Sequence, residues 1–506
     1  MVFHSYKFIL LFLPAVLVCY RLSEVAKEEA RVKARQLVLI AASILFIVPF
    51  GFKCVAAVAC SVAVNGFAAA RFLCGRLSVN PEDTDASGTR EHAFKKRMLC
   101  VPVILNAGVL CVLKVSALPL PVGLSFYTFT QIAFLVDAYR GEITSFTLPE
   151  YLLHVLFFPK FLQGPIARMD DTRTMIVSRL RYPMTANNLL NGALLFALGL
   201  FKKTLIADTL GSCVDTAYGL IPHLTRADAV ITILTFVAQL YFDFSAYCDM
   251  GRGCAWMMGL DLPENFSQPL RTRNIVDYWK RWHMSLTGFF TRYLYIPLGG
   301  SRRGDARRYL NVMIVFLVSG FWHGTGVTFL VWGALHGLAY VCVTALMNRR
   351  GTDGKAGANA PAQSCAAVLQ TVVNYSFVSI CYVFFRAETL SDALGLFERT
   401  YGAAVSYVSE TIADTFYLDE IWYVVKVLPL GGWDYRKYLC MAAVLLVSAV
   451  LLFVAPDAKT LVLRNDERMR EGLQARSVLF VLLCAVLFVW ALLSTGGVAT
   501  YLYVNF

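Results

Sequence analysis

The stretch SGFWHGTG, Ser319–Gly326, lies between YLNVMIVFLV (309–318) and VTFLVWGAL (327–335), two runs apolar enough for a membrane interior. A basic loop, SRRGDARR (301–308), precedes the first run, and Arg349–Arg350 follow the second. If both basic stretches face the cytoplasm, the chain must rise and return between them. The fourteen residues from Tyr309 to His323 make about 21 Å of helix at 1.5 Å per residue, so His323 is expected well inside the bilayer. Gly320, Gly324 and Gly326 mark a break there. A broken helix at that depth is tolerated only if it is buried in protein or lines a wet cavity. An ionisable group in such a place is costly, and its default reading is functional.

The rest of the chain fits this frame. Of 506 residues, 58% are hydrophobic and 16% charged, and mean hydropathy is +0.58. A soluble chain carries roughly 25% charged residues. Twelve apolar runs recur, near 8–20, 36–50, 53–73, 99–116, 121–138, 187–208, 228–249, 309–321, 325–346, 366–386, 437–455 and 477–495. The expected fold is an all-α polytopic membrane protein. It has about 11–12 transmembrane helices and a re-entrant or interfacial piece at 150–168, where Pro159, Gly164 and Pro165 interrupt an apolar run. We expect one integral membrane domain over 1–506. Its parts are N-terminal helices (1–138), a core (139–350), a flexible Gly/Ala-rich linker (351–366) and C-terminal helices (367–506).

The net charge of +12 is not a nucleic-acid footprint. The basic residues collect in short loops at 21–35, 71–98, 168–181, 268–281, 301–308, 349–355 and 459–476, the bias of cytoplasmic connections. The segment 400–436 instead carries Glu410, Asp414, Asp419 and Glu420 and is assigned to the outside. Fourteen cysteines, mostly within apolar runs and without a CxxC pair, read as small buried residues. His323 and His336 are thirteen residues apart, unlike two metal ligands on one helical face, and no metal is expected.

Three further places carry chemistry. Forty residues before His323, YWKRWHMSLTGFF (278–290) sets His283 beside Trp279, Lys280, Arg281 and Trp282. Such a Trp- and Arg-rich amphipathic segment belongs at an interface, which places His283 at the mouth of a cavity or drawn into it. Asp243 and Tyr247, at i and i+4 in QLYFDFSAYCDM (239–250), either support a histidine or pin helices together. Lys202 and Lys203 interrupt an apolar run and suggest a half-length or cavity-lining helix. Burial favours a neutral His323 able to accept a proton from a hydroxyl. The competing reading is a histidine that only hydrogen-bonds a neighbouring helix.

Several stretches in order resemble the membrane-bound O-acyltransferases, in particular the bacterial branch of the alginate O-acetyltransferase membrane subunit. They are PVGLSFYTFTQIAFLVDAYRGEI (121–143), FFPKFLQGPIAR (157–168), GLFKKTLIAD (199–208), QLYFDFSAYCDM (239–250), LPENFSQPLRTRNIVDYWKRWHMSLTGFFTRYLYIPLGG (262–300), SGFWHGTG, WGALHG (332–337) and FFRAETLSDAL (384–394). The resemblance weakens over 351–366 and 400–480. It implies a helical bundle around a cavity, with His323 as the catalytic histidine and His283 at the family's second polar position, which is Asn in many eukaryotic members. His336, in WGALHG, is a feature of the bacterial branch with a structural or catalytic role. Trp279, Arg281 and Trp322 are candidate supporting residues.

The implied activity moves an acyl group, expected to be acetyl, from a cytoplasmic thioester such as acetyl-CoA to a hydroxyl. No bound cofactor is expected. The implied setting is the bacterial inner membrane, with a periplasmic partner protein and a cell-surface polysaccharide such as alginate or peptidoglycan as acceptor. Three alternatives stay open: a D-alanyl transferase for teichoic acid, a proton-coupled transporter or flippase, and a scaffold of a secretion complex.

Overall fold

The computed structural model describes residues 1–77, 87–116, 120–349, 365–404, 406–416, 418 and 435–497. Most of the 351–366 segment, together with Asp419 and Glu420, lies outside the described residues. The described chain is helical throughout, with no strand among these residues. In chain order the helices are α1 Leu13–Leu22, α2 Glu28–Ile47, α3 Phe52–Leu77, α4 Ser87–Val115, α5 Leu124–Arg140, α6 Leu148–Leu156, α7 Phe158–Phe161, α8 Met169–Met175 and α9 Ala186–Phe201. There follow α10 Asp208–Gly219, α11 Arg226–Met257, α12 Ile275–Arg281, α13 Met284–Phe290, α14 Asp305–His323, α15 Val327–Arg349 and α16 Cys365–Arg386. The last five are α17 Leu390–Gly402, α18 Glu410–Asp414, α19 Arg436–Phe453, α20 Ala458–Arg470 and α21 Gln474–Leu493.

Among the described residues, nine helical segments are long and apolar enough to cross a membrane. The expected runs at 99–116, 121–138 and 309–321 also form helices. Leu99–Val115 is shorter than the nine, α5 has 17 residues, and α14 carries Asp305, Arg307 and Arg308 in its first turn. The chain is a multi-pass membrane protein.

Two compact units divide the described chain: Met1–Phe196 with Tyr247–Glu264, and Ala197–Ala246 with Asn265–Phe506. In the first unit the interrupted segment 150–168 forms α6, α7 and an irregular stretch, almost all of it buried. Thr147 and Glu150 cap the start of α6 reciprocally. Side chains satisfy one another on the adjacent helices. Asn65 and Asn106 exchange amide hydrogen bonds at 2.6 and 3.2 Å. Tyr151 donates to Gln131 at 3.1 Å, and Gln131 to Ser61 at 3.0 Å. Arg35, counted above among loop charges, is fully buried. Its guanidinium pairs with Glu24 at 2.7 Å and donates to the Leu180 carbonyl at 2.8 Å.

In the second unit the decisive local structure is the α14–α15 hairpin. A methyl group at Gly320 would overlap the Phe329 carbonyl oxygen, and one at Gly333 would overlap that of Phe316. The two backbones therefore touch where small residues permit it, the usual device for close packing between helices in lipid. This is why glycines surround His323. They hold the turn of the hairpin in close contact, with Gly324 directly beneath the Phe329 ring.

Of the two readings that the sequence left for the helix of Lys202 and Lys203, half-length or cavity-lining, the first does not hold. The helical segment runs unbroken over Ala186–Gly219, passing through a π turn at Lys202–Ala207. The wider turn accompanies the insertion of a buried cation. Lys203 donates to Asp243 at 2.7 Å and pairs with Asp208 at 2.8 Å. Lys202 donates to Ser245 at 2.9 Å.

Candidate active site

Three histidines far apart in sequence meet within the second unit. His323 is the last residue of α14, with Gly324 following it as C-cap. His336 lies on α15, one turn beyond Trp332. His283 joins α12 to α13. All three are buried, at 4%, 0% and 1% exposure respectively.

A ladder of aromatic rings connects them. The His283 ring is 6.5 Å from Trp322, and Trp322 is 4.6 Å from His323. His323 meets Trp332 edge-on at 5.2 Å, and Trp332 lies 5.0 Å from His336. Trp279 closes the far side, with its ring edge-on to His336 at 5.3 Å. Phe385 and Tyr382 of α16 complete the surround, 4.9 Å from His323 and 5.7 Å from His336. Edge-to-face pairs of this kind each contribute about 0.5–1.5 kcal/mol beyond the area they bury. Together they fix the orientation of every imidazole.

The backbone at His283 needs its own explanation. Its φ of 43° places it in the left-handed region, which glycine and asparagine tolerate best. Such a residue costs on the order of 1–3 kcal/mol and persists where the surroundings hold it. Asn274 caps α12 by accepting the Asp277 N–H at 2.9 Å. After the kink, Asn265 takes over. Its carbonyl accepts the Met284 N–H at 2.9 Å, and its side chain accepts the Ser285 hydroxyl at 2.6 Å. The imidazole is thereby pressed edge-on against Phe244 at 4.8 Å. Burial pushes its pKa down to about 3, so the ring is neutral.

The segment around His283 is drawn into the protein interior, one of the two placements that the sequence left open. Tyr278, Trp279, Trp282 and His283 are buried, while Arg281 is exposed. The reason is the kink: it turns four rings inward, and the Arg281 carbonyl, rather than its guanidinium, contributes by accepting the Ser267 N–H at 3.1 Å. Arg281 is not among the cluster's rings.

Asp243 and Tyr247 part company despite their i, i+4 spacing. Asp243 belongs to the second unit and holds Lys203. Tyr247 belongs to the first, where its ring stacks on Phe3 at 4.8 Å and its hydroxyl accepts the Leu162 N–H at 3.2 Å. Each has a pinning contact.

A partly open cavity of about 210 Å³ adjoins the cluster. Trp279, Phe316 and Ser319 are common to its wall and to the elements that carry the histidines, and Lys280 and Arg308 supply two cations to its lining. The histidines themselves are not in that lining. The rings of Trp279 and Phe316, 5.3 and 6.5 Å from His336, stand in between.

Sequence reasoning passed over Trp332, Tyr278, Tyr382, Phe385 and Asn265, and it noted Lys203 without its partners. A usable signal existed for some of them. Trp332 is one helical turn before His336, and Tyr382 and Phe385 are three apart on one helical face. Of the partners of Lys203, Asp208 is five residues along the same segment, while Asp243 comes from a distant one and left no local pattern.

A multi-pass helical protein with several histidines gathered among buried rings is the class that the fold and site define. The chain belongs to the membrane-bound O-acyltransferase (MBOAT) family, whose profile matches residues 8–352. It is similar to the peptidoglycan O-acetyltransferase of Helicobacter pylori, 32% identical over 357 residues, or 62% of this chain and 66% of that protein. It is 37% identical over 292 residues to the probable alginate O-acetylase AlgI of Pseudomonas aeruginosa, covering 58% of this chain and 53% of the relative. A teichoic acid D-alanyltransferase of Streptococcus thermophilus is 27% identical over 251 residues, or 46% and 59% of the two chains. The matches span between half and two thirds of the length of these curated relatives.

Proposed function

We propose that this chain is an O-acyltransferase of the bacterial inner membrane that moves an acetyl group from a cytoplasmic thioester to a hydroxyl. Its acceptor is a cell-surface polysaccharide, reached through an extracytoplasmic partner protein. The observation that carries the reading is the gathering of His283, His323 and His336 in one aromatic cluster against a cavity lined by Lys280 and Arg308.

In the proposed reaction, His323 takes the proton of the acceptor hydroxyl as its oxygen attacks the thioester carbonyl carbon. A new C–O bond forms and the carbonyl electrons move onto oxygen. His283, neutral, donates one ring N–H to that oxyanion or orients the donor. Collapse breaks the C–S bond, and the thiolate leaves with the proton returned by His323. Ester and free thiol are the products. Lys280 and Arg308 attract the donor's phosphates.

Acetyl is favoured over D-alanyl because the O-acetyltransferase relatives match at 32% and 37% identity, against 27% and 24% for two D-alanyltransferases. The test is His323→Ala and His283→Ala, with the amount of protein in the membrane measured beside alkali-labile acetate on the surface polymer. Loss with His323→Ala at unchanged membrane level is expected. Normal acetylation in that variant removes the assignment. Loss confined to His283→Ala exchanges the two roles.

A further inference from the structure

Trp279 occupies a position that the reaction scheme leaves unused. It lines the cavity together with Leu286, Phe290, Val315 and Phe316, and its opposite edge meets His336. Behind it the space is filled. Trp332, Tyr278, Tyr382 and Phe385 are each at most 2% exposed, and they pack on His336, on Trp279 or on one another at 5.0 to 6.4 Å. The Trp279 indole N–H has no acceptor among the described residues, so packing alone holds that ring in place.

The cavity is also small. Sites for drug-sized ligands run to roughly 300–1,000 Å³, whereas this one holds about 210 Å³. With mostly apolar walls and cations in its lining, it suits a slender thioester arm whose anionic end stays outside. Such an arm arrives acyl end first, against Trp279.

We infer that Trp279, backed by Phe316, sets the length of acyl group that the site accepts, restricting transfer to acyl groups of about two carbons. The inference rests on the acyl-transfer reading above and adds a specificity-determining residue to it. A short acyl group fits in the cavity against the indole without moving it. Each further methylene must displace a ring that has nowhere to go. Discrimination by one methylene in an apolar pocket is worth about 10- to 200-fold in rate, so two methylenes exclude butyryl efficiently.

The experiment uses inverted membrane vesicles containing the full chain, supplied with labelled acetyl-CoA or butyryl-CoA, and reads ester-linked label. Wild type is expected to transfer acetyl and almost no butyryl. Trp279→Ala should raise the butyryl-to-acetyl ratio at least tenfold, whatever happens to the absolute rate. Trp279→Phe, which keeps a ring and the packing, should give a smaller rise and serves if the alanine variant does not accumulate. A merely structural tryptophan would lower both rates together. An unchanged ratio in the variant that folds overturns the inference while leaving acyl transfer standing, and so does a wild type that transfers butyryl as fast as acetyl. A wild type that transfers neither overturns the reading and the inference together.

Discussion

Lys203 and His336 are both buried side chains of the second unit, on helices long enough to span a membrane. Lys203 is surrounded by answers to its charge. Asp243 and Asp208 each approach within 2.8 Å, and the local helix widens to admit the ammonium group. His336 is treated differently. Neither ring nitrogen finds a hydrogen-bond partner among the described residues, and the ring is hemmed by Trp279, Trp332, Tyr382 and Phe377 instead. Removing one member of a buried ion pair leaves an uncompensated charge, so such pairs mark structure. A buried polar atom without a partner needs an explanation of another kind, and a catalytic site is one of the few that recur. Burial of ionisable groups does not by itself locate chemistry in this protein. What separates the two side chains is that the Lys203 ammonium group has charged partners and the His336 imidazole has none among the described residues.

The contrast breaks most visibly at its two ends. His323→Gln should reduce acyl transfer by about 10²- to 10⁴-fold, the range of a lost general base, with the thermal unfolding midpoint in detergent scarcely moved. Asp243→Ala should do the reverse. Lys203 then keeps Asp208 but loses one of its two carboxylates, part of the roughly 3–5 kcal/mol that a fully broken buried pair costs. The loss is read as a lower midpoint and less protein in the membrane, while the protein that does fold keeps its transfer rate. The pair of measurements is decisive in either direction. If Asp243→Ala loses transfer with its midpoint intact, the ion pair belongs to the reaction. If His323→Gln unfolds the protein, the cluster is a core.

A smaller effect tests the scaffold beneath the cluster. Gly320→Ala puts a methyl group against the Phe329 carbonyl, and backbone cannot yield as a side chain can. Overpacking of this sort costs about 1–3 kcal/mol. Because His323 lies three residues further along α14, the same substitution should also lower transfer. Gly326→Ala, with only ordinary contacts at 3.5 Å or more, is the control expected to do neither.

The extent to which these features were legible in the sequence follows from the distance over which each is decided. Hydropathy and loop charge are local sums, so the membrane class and most helices could be read directly. The glycines around His323 announced a break, and the hairpin they pack is a short-range structure, Asp305–Arg349. The burial of His283 was not visible in the same way. Trp and Arg at amphipathic spacing suit an interface equally well, and only Asn265, eighteen residues earlier, turns the chain inward by accepting the N–H and hydroxyl groups beyond the kink. Asp243 and Tyr247 are the sharper lesson. Their i, i+4 spacing is real, yet their partners are Lys203 and Leu162, from other segments. Helical spacing tells which residues share a face and is silent on what that face meets.

His336 can be set against phenylalanine, a somewhat larger ring without polar atoms. Both nitrogens are buried without a described partner, and a polar group left so costs about 1–3 kcal/mol relative to a satisfied one. Phenylalanine removes that penalty and is only slightly larger, although the packed rings around it resist the added volume. The two terms oppose each other and are of similar size, about 1–3 kcal/mol each. His336→Phe should therefore leave the unfolding midpoint in detergent close to that of wild type, whereas Lys203→Met, which strands two carboxylates, should lower it. A fall on His336→Phe as large as that of Lys203→Met would mean that the imidazole has a partner supplied from outside the chain. In that case the difference between the two regions would lie in where the partner comes from, rather than in whether one exists.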